Sequence, residues 1–112
     1  MYIFKSNADF ILQNRKGEYE MISPKILDGA CVLYYTQQDY YGTVRCISGK
    51  ITDHICYLAI CKYENDTQYY LFGCNAEYEV VSDSSWESIV QCMLAAENAY
   101  DRVISWIAMN EY

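Results

Sequence analysis

The seven residues from Ile55 to Cys61 include no charged or strongly polar side chain, and this run constrains the fold more than any other segment. Because successive side chains of a strand point to opposite faces, such a run predicts a strand that is covered on both sides. Glu64-Asn65-Asp66 follows as a turn signal. We therefore expect His54–Tyr63 and Thr67–Cys74 to form a hairpin at the centre of a sheet.

Shorter segments on both sides of this hairpin also have the composition of strands, and turn residues separate them. Phe10–Gln13 and Glu18–Ile22 flank the turn signal Asn14-Arg15-Lys16-Gly17, so they are expected to pair. The other predicted strands are Tyr2–Lys5, Cys31–Thr36, Gly42–Ser48 and Glu77–Ser82. Gln37–Tyr41 is polar and rich in tyrosine, which predicts a loop.

The hydrophobic period changes near residue 84, where Ser84 and Glu87 match a capping box that would begin a helix. Nine apolar residues beyond this point fall on one side at 100° per residue. They are Trp86, Ile89, Val90, Met93, Ala96, Tyr100, Val103, Ile104 and Ile107. This pattern predicts a long amphipathic helix whose apolar side is buried against the sheet, with Arg102 on the polar side.

Together these elements predict a single α+β domain over residues 1–112. The expected architecture is an antiparallel twisted sheet of five to seven strands, packed by one long carboxy-terminal helix. The two-sided apolar strand further suggests that the tail or a partner covers part of the second face.

The start of the chain lacks the apolar core of a signal peptide, and no apolar run is long enough to span a bilayer. A cytoplasmic protein is therefore expected. The six cysteines lie within apolar segments, so they are expected to be buried thiols that pack as small hydrophobic residues. They are Cys31, Cys46, Cys56, Cys61, Cys74 and Cys92.

Charge is unevenly distributed along the chain. Residues 63–112 carry nine Asp and Glu against the single base Arg102, a charge of −8, whereas residues 1–62 carry +1. Such a one-sided field attracts cationic partners and repels anionic membranes and nucleic acid. Base-stacking aromatics are present, but no cationic stripe accompanies them to neutralise phosphates. We expect neither nucleic acid nor a membrane to be a partner.

The sequence contains no motif that specifies an enzyme. His54 and Cys56 could share a strand face as a base and a nucleophile, but no third group is evident to orient them. Glu77 and Glu79 also share a face on the predicted strand, and solvation of an exposed edge explains them more simply than hydrolysis or cation binding. There is no Cys-x-x-Cys pair and no glycine-rich phosphate loop. No catalytic residue, metal or cofactor is therefore expected.

The carboxy-terminal forty residues or so resemble a known class of protein. Tyr69–Val80 (YYLFGCNAEYEV) is followed by Asp83, Trp86, Ala96-Glu97, Tyr100 and Trp106. This order of aromatic and acidic positions resembles bacterial immunity proteins of contact-dependent growth inhibition and related polymorphic toxin systems. The resemblance implies a cytoplasmic, non-enzymatic protein that binds one cognate toxin domain. Toxins of this class are often nucleases, and a basic nuclease would suit the −8 charge.

Exposed acids and tyrosines at loops and edges are the expected contacts with such a partner. They are Asp39, Tyr40, Tyr41, Glu64, Asp66, Glu77, Tyr78, Glu79 and Asp83. A monomer is expected when the partner is absent. Two alternatives remain open: a small phage or secretion-system subunit that self-associates, and another decoy-type inhibitor such as an anti-restriction or anti-CRISPR protein.

Overall fold

The computed structural model describes residues 10–13 and 19–109, and these form a mixed α+β fold. The strands are β1 (Phe10–Gln13), β2 (Tyr19–Ile22), β3 (Ile26–Leu27), β4 (Ala30–Tyr35), β5 (Gly42–Arg45), β6 (Ile51–Ile55), β7 (Tyr57–Lys62), β8 (Tyr69–Cys74), β9 (Val80–Trp86) and β10 (Ile107–Ala108). One helix, α1 (Ile89–Tyr100), lies between β9 and β10 in the described chain. The predicted class, an antiparallel twisted sheet packed by a carboxy-terminal helix, is confirmed.

The main sheet has the strand order β10-β4-β7-β8-β9, and β3 adds to it beside β4. All of its neighbouring strands are antiparallel. The predicted central hairpin corresponds to β7 and β8, in which Ala59 lies opposite Phe72. β1 and β2 form the predicted first hairpin, with Phe10 opposite Ile22. Tyr2–Lys5 and the turn 14–17 are predictions that fall outside the described residues.

Residues 30–45 and 51–62 form one long hairpin that contains two ladders. β4 pairs with β7, and β5 pairs with β6. Between these ladders, Thr36 N donates to Leu58 O at 3.0 Å and Asp39 N donates to Cys56 O at 3.0 Å. The predicted strand Gly42–Ser48 ends early because residues 46–49 make the turn, in which Gly49 adopts a φ of +91°.

β7 is buried on both faces, as its sequence predicts. Tyr57, Ala59 and Cys61 pack in one hydrophobic cluster, and Leu58 and Ile60 pack in another on the opposite face. None of these five side chains is more than 3% exposed. Because side chains alternate along a strand, β7 joins both halves of the core.

The helix begins later and ends earlier than the sequence predicts. Ser84 remains in β9, opposite Leu71, so the predicted capping box is wrong. Ser88 is the N-cap instead, and its Oγ accepts a hydrogen bond from Gln91 N at 3.1 Å. Asp101, at a φ of 53°, ends the helix in the left-handed conformation typical of a C-cap.

The buried side of α1 also differs from the predicted stripe. Cys92 and Ala96 are fully buried against the sheet, whereas Val90 is 62% exposed. Small side chains at these two buried positions let the helix backbone approach β8 and β9 closely. Val103 and Ile104 lie beyond the helix in the segment that leads to β10, and Ile107 is the first residue of β10.

Gly73 in β8 is a sensitive position, because Ser82 and Ile55 occupy the space that a Cβ would need. A Cβ added there would collide with Ser82 Oγ and lie 3.1 Å from Ile55 Cγ2. We expect Gly73→Ala to lower the free energy of unfolding by about 1–3 kcal/mol because the core must shift. Urea denaturation measures this change. Ser85→Ala, at an exposed position of β9, is the control and should change stability by less than about 0.5 kcal/mol. Equal stability of the two variants would contradict the steric argument.

Candidate functional site

The acidic part of the sequence folds into one side of the molecule. From Tyr63 to Asp101 there are eight Asp and Glu and no Lys, Arg or His. The whole segment forms β8, β9, α1 and the connections between them. These elements are neighbours in space, because β8 pairs with β9 and α1 packs on both strands. We call residues 63–101 the acidic side. No base lies within this segment, although the charge of Lys62, directly before it, acts on Asp66.

The β7–β8 turn holds two of the predicted contact residues, and the structure separates their roles. Asp66 Oδ1 accepts from Gln68 N at 3.0 Å, and Asp66 Oδ2 accepts from the Tyr70 hydroxyl at 2.9 Å. These two hydrogen bonds lower the pKa of Asp66 and fix its carboxylate within the turn. Glu64 is exposed at the same turn. Glu64 is therefore presented to solvent, while Asp66 also has a structural role.

A buried asparagine organises the turn before β9. Asn75 is only 6% exposed, and its Oδ1 accepts from the backbone N of Glu77 and of Glu79 at 3.0 and 2.9 Å. Its Nδ2 donates to Glu79 Oε1 at 2.7 Å and to Asp53 Oδ2 at 3.3 Å. The predicted strand Glu77–Ser82 therefore starts at Val80. The prediction that Glu77 and Glu79 share an edge-strand face is wrong, because residues 75–79 form this turn.

Tyr78 is buried, so the prediction that it is an exposed contact residue is wrong. It is 7% exposed, and its ring stacks on Tyr57 with 4.1 Å between centroids and 18° between planes. A φ of 63° at Tyr78 turns the chain between the two exposed glutamates. The aromatic residue thus anchors the turn to the core, and the carboxylates beside it are left at the surface.

Asp39, Tyr40 and Tyr41 meet Arg102, which lies just after α1. Arg102 Nη2 lies 2.8 Å from Asp39 Oδ2, and Nη1 donates to Tyr40 O at 3.3 Å. The guanidinium carbon also lies 4.7 Å from the centroid of the Tyr41 ring, within cation–π range. This group borders an open cleft of about 190 Å³, which is lined by Gln37, Gln38, Asp39, Tyr41, Arg102, Val103, Ser105 and Ile107.

The nine predicted contact residues do not form one continuous patch. Glu64 and Asp66 lie at one end of β8, and Glu77 and Glu79 follow its other end. A strand of this length spans roughly 17 Å, so these two pairs are too far apart to act together on a small group. Asp83 is exposed in the middle of β9, between the two ends. Tyr40 lies elsewhere, with its ring 5.8 Å from that of His54.

The residues considered for catalysis are placed as follows. His54 is exposed beside Tyr40, and Cys56 is partly buried between β6 and β7. Burial, followed by the charges of Asp53 and Glu77, raises the pKa of the Cys56 thiol. A raised pKa disfavours the thiolate that a nucleophilic cysteine requires. Among the described residues, no three His, Cys, Asp or Glu side chains are arranged to hold a metal ion.

Sequence reasoning missed the two residues that organise these surfaces. Asn75 appears in the sequence only as a turn residue, and its bond to Asp53 joins positions 22 residues apart. The hydrophobic pattern predicts Arg102 on the polar side of a helix, but α1 ends at Tyr100 and the guanidinium contacts Asp39. An Asn beside a Glu-x-Glu sequence is a weak local signal for the first of these residues, and no local signal exists for the second.

Comparisons with protein-family models, with characterised proteins and with solved structures give no match to this chain. Within residues 10–13 and 19–109, no helix has the length and apolar character that crossing a bilayer requires.

Arg102 is expected to control the ionisation of Asp39. The hydrogen bond from Arg102, and then that from Tyr40 N, lower the pKa of the Asp39 carboxyl. The ion pair is therefore complete above the ordinary carboxyl range and is lost as the pH falls through the lowered pKa. We expect Arg102→Ala to move the Asp39 midpoint upward in an NMR titration. Arg45→Ala is the control, because Arg45 Nη1 bonds to Gly49 O instead. A midpoint that is unchanged by Arg102→Ala would contradict the contact.

The six cysteines should differ sharply in reactivity, because the prediction that all are buried is wrong. Cys31 and Cys46 are exposed, whereas Cys61, Cys74 and Cys92 are buried. Burial raises the pKa of Cys74 to about 12 and that of Cys92 to about 11, while the Ser48 hydroxyl lowers the pKa of Cys46.

We expect a maleimide at neutral pH to label Cys46 first, because the thiolate is the reacting form. The three buried thiols should react only after unfolding. Peptide mapping by mass spectrometry gives the order, and Cys46→Ser should remove the fastest phase. Early labelling of Cys61 in the folded protein would contradict the packing of the core.

Proposed function

We propose that this chain is a non-enzymatic immunity-type protein that binds and neutralises a cognate basic toxin domain, with a nuclease acting on RNA as the favoured class. The observation that carries the proposal is the acidic side, with its eight carboxylates and no base. A basic protein that binds phosphate backbones would meet in this surface the charge of its usual substrate. We further propose that the protein acts in the cytoplasm, as a monomer before it meets its partner.

The arrangement of the carboxylates supports recognition of a surface better than binding of a small ligand. Glu64, Glu77 and Asp83 are exposed at separate points along β8 and β9. Charges spread in this way steer a large partner towards one side, and they accelerate association more than they hold the final complex. Fast association suits an inhibitor whose target is lethal to the cell.

A second candidate is an assembly subunit that self-associates, and exposed apolar residues favour it. Ile47 at the β5–β6 turn is completely exposed, and Val90 and Leu94 on the outer side of α1 are 62% and 59% exposed. Size-exclusion chromatography separates the two proposals. A stable homo-oligomer without a cationic partner would support assembly, and a monomer would support inhibition.

The decisive experiment begins with recovery of the partner from the source cells at low and high salt. We expect one basic protein in stoichiometric amount, with recovery that falls as salt screens the surface charges. The isolated partner should degrade RNA, and an equimolar amount of this chain should stop that activity. Recovery of only an oligomer of this chain, or a partner whose activity is unaffected, would overturn the proposal.

Charge neutralisation tests which surface is responsible. We expect Glu64→Gln combined with Glu77→Gln to slow association with the partner roughly three- to tenfold at low salt. Ser48→Lys combined with Thr52→Lys changes the net charge by the same amount at exposed positions outside the acidic side and away from the predicted contacts, so it is the matched control. Stopped-flow fluorescence measures both rates. Equal slowing by the two pairs of substitutions would show that the association rate depends on net charge alone and not on the acidic side.

A further inference from the structure

In the part of the chain that the structure describes, the outer edge of β9 is the longest unpaired strand edge of the main sheet. β9 has seven residues and stands at one end of the strand order, and the strand at the other end, β10, has two. Within residues 10–13 and 19–109, only β8 pairs with β9. Alternate backbone N–H and C=O groups of an antiparallel edge strand point away from its neighbour. Such a row of groups is a template for another strand.

The helix leaves this edge accessible. α1 packs over one face of β8 and β9 through Cys92 and Ala96, so it covers a face of the sheet and not its border. Asp83, Ser85 and Trp86 in β9 are exposed. The far end of the strand is held in place by its pairing with β8, in which Trp86 lies opposite Tyr69. Among the described residues the edge is therefore ordered, and no strand is paired with it.

The charge of the edge selects what can pair with it. Asp83 lies at the centre of β9, Glu79 directly precedes the strand and Glu87 directly follows it. Antiparallel self-pairing centred on the strand would place Asp83 opposite Asp83 of a second copy, and like charges in that position are destabilising. A strand with Lys or Arg opposite Asp83 would instead gain a favourable cross-strand pair.

We propose that the outer edge of β9 receives an extended, cationic segment of the partner, which adds to the main sheet as one further strand. This inference rests on the proposed function, and it names the surface and the kind of segment that this surface binds. Backbone hydrogen bonds supply affinity in such strand addition, and alternate side chains supply specificity. Asp83 is the specificity-determining residue of this surface.

A peptide probe tests the edge without the natural partner. The probe is a capped seven-residue peptide of alternating Lys and Val. The control peptide has Pro in place of each Val, which keeps the charge and an extended shape but removes the ladder donors at those positions. Hydrogen exchange of the β9 amides is followed by NMR at about 0.15 M salt, where screening acts over roughly 8 Å.

We expect the Lys-Val peptide to slow exchange about tenfold at alternate β9 amides when it is present at ten times its Kd. The Lys-Pro peptide should give no such protection. Asp83→Lys should weaken binding of the Lys-Val peptide about fivefold. Glu64→Lys makes the same charge change at the β7–β8 turn and should weaken binding less than about twofold. Urea midpoints equal to that of the unchanged protein establish that both variants fold.

Three results would overturn the proposal. They are the absence of β9 protection at millimolar peptide, equal weakening by Asp83→Lys and Glu64→Lys, and β9 protection that grows with protein concentration alone. The last result would assign the edge to a second copy of this chain. The two proposals can fail separately. If the chain neutralises a toxin but hydrogen exchange of the β9 amides is unchanged, only strand addition at β9 is excluded. Homo-oligomers without a basic partner would exclude the function, and the peptide result would then describe only the binding preference of the edge.

Discussion

Burial of β7 on both faces is the constraint on which the rest of the structure depends. Leu58 and Ile60 are 0% exposed on one face, and Cys61 is 0% exposed on the other. Neither half of the core could form without this strand, because each half packs on one set of its alternating side chains. β4 and β8 pair with its two edges, so the two halves and the sheet are completed together.

Most of the candidate contact residues lie in the turns that follow the buried strands. Polar residues at the ends of β7, β8 and β9 satisfy backbone donors within the turns. Asn75 is the clearest case, since one buried amide fixes the Glu77–Glu79 backbone and also binds Asp53. A side chain that is needed to satisfy a turn in this way is held in one geometry, and that rigidity presents the neighbouring carboxylates in fixed positions.

The carboxylates and the unpaired edge of β9 lie on the same side of the molecule. The acidic side contains an ordered strand edge at β9, and no base between Tyr63 and Asp101 offsets its carboxylates. Many proteins protect such an edge with lysine against pairing with their own copies. An acidic edge gives the same protection against self-pairing, and it still accepts a cationic strand. In the proposed function, negative charge on this side would both oppose self-pairing and select a cationic partner.

The sequence by itself determined the α+β class, the two-sided central strand, the main hairpins and the sign of the surface charge, because each follows from local periodicity or composition. Only the tertiary structure decided where α1 begins, that Tyr78 is buried on Tyr57, and that Arg102 pairs with Asp39. In each case a partner distant in sequence outweighed a local signal. Ser84 matches a helix cap, yet its pairing with Leu71 keeps it in β9. The predicted contact residues were likewise dispersed, because shared polarity along a chain does not specify which loops meet at the same end of a sheet.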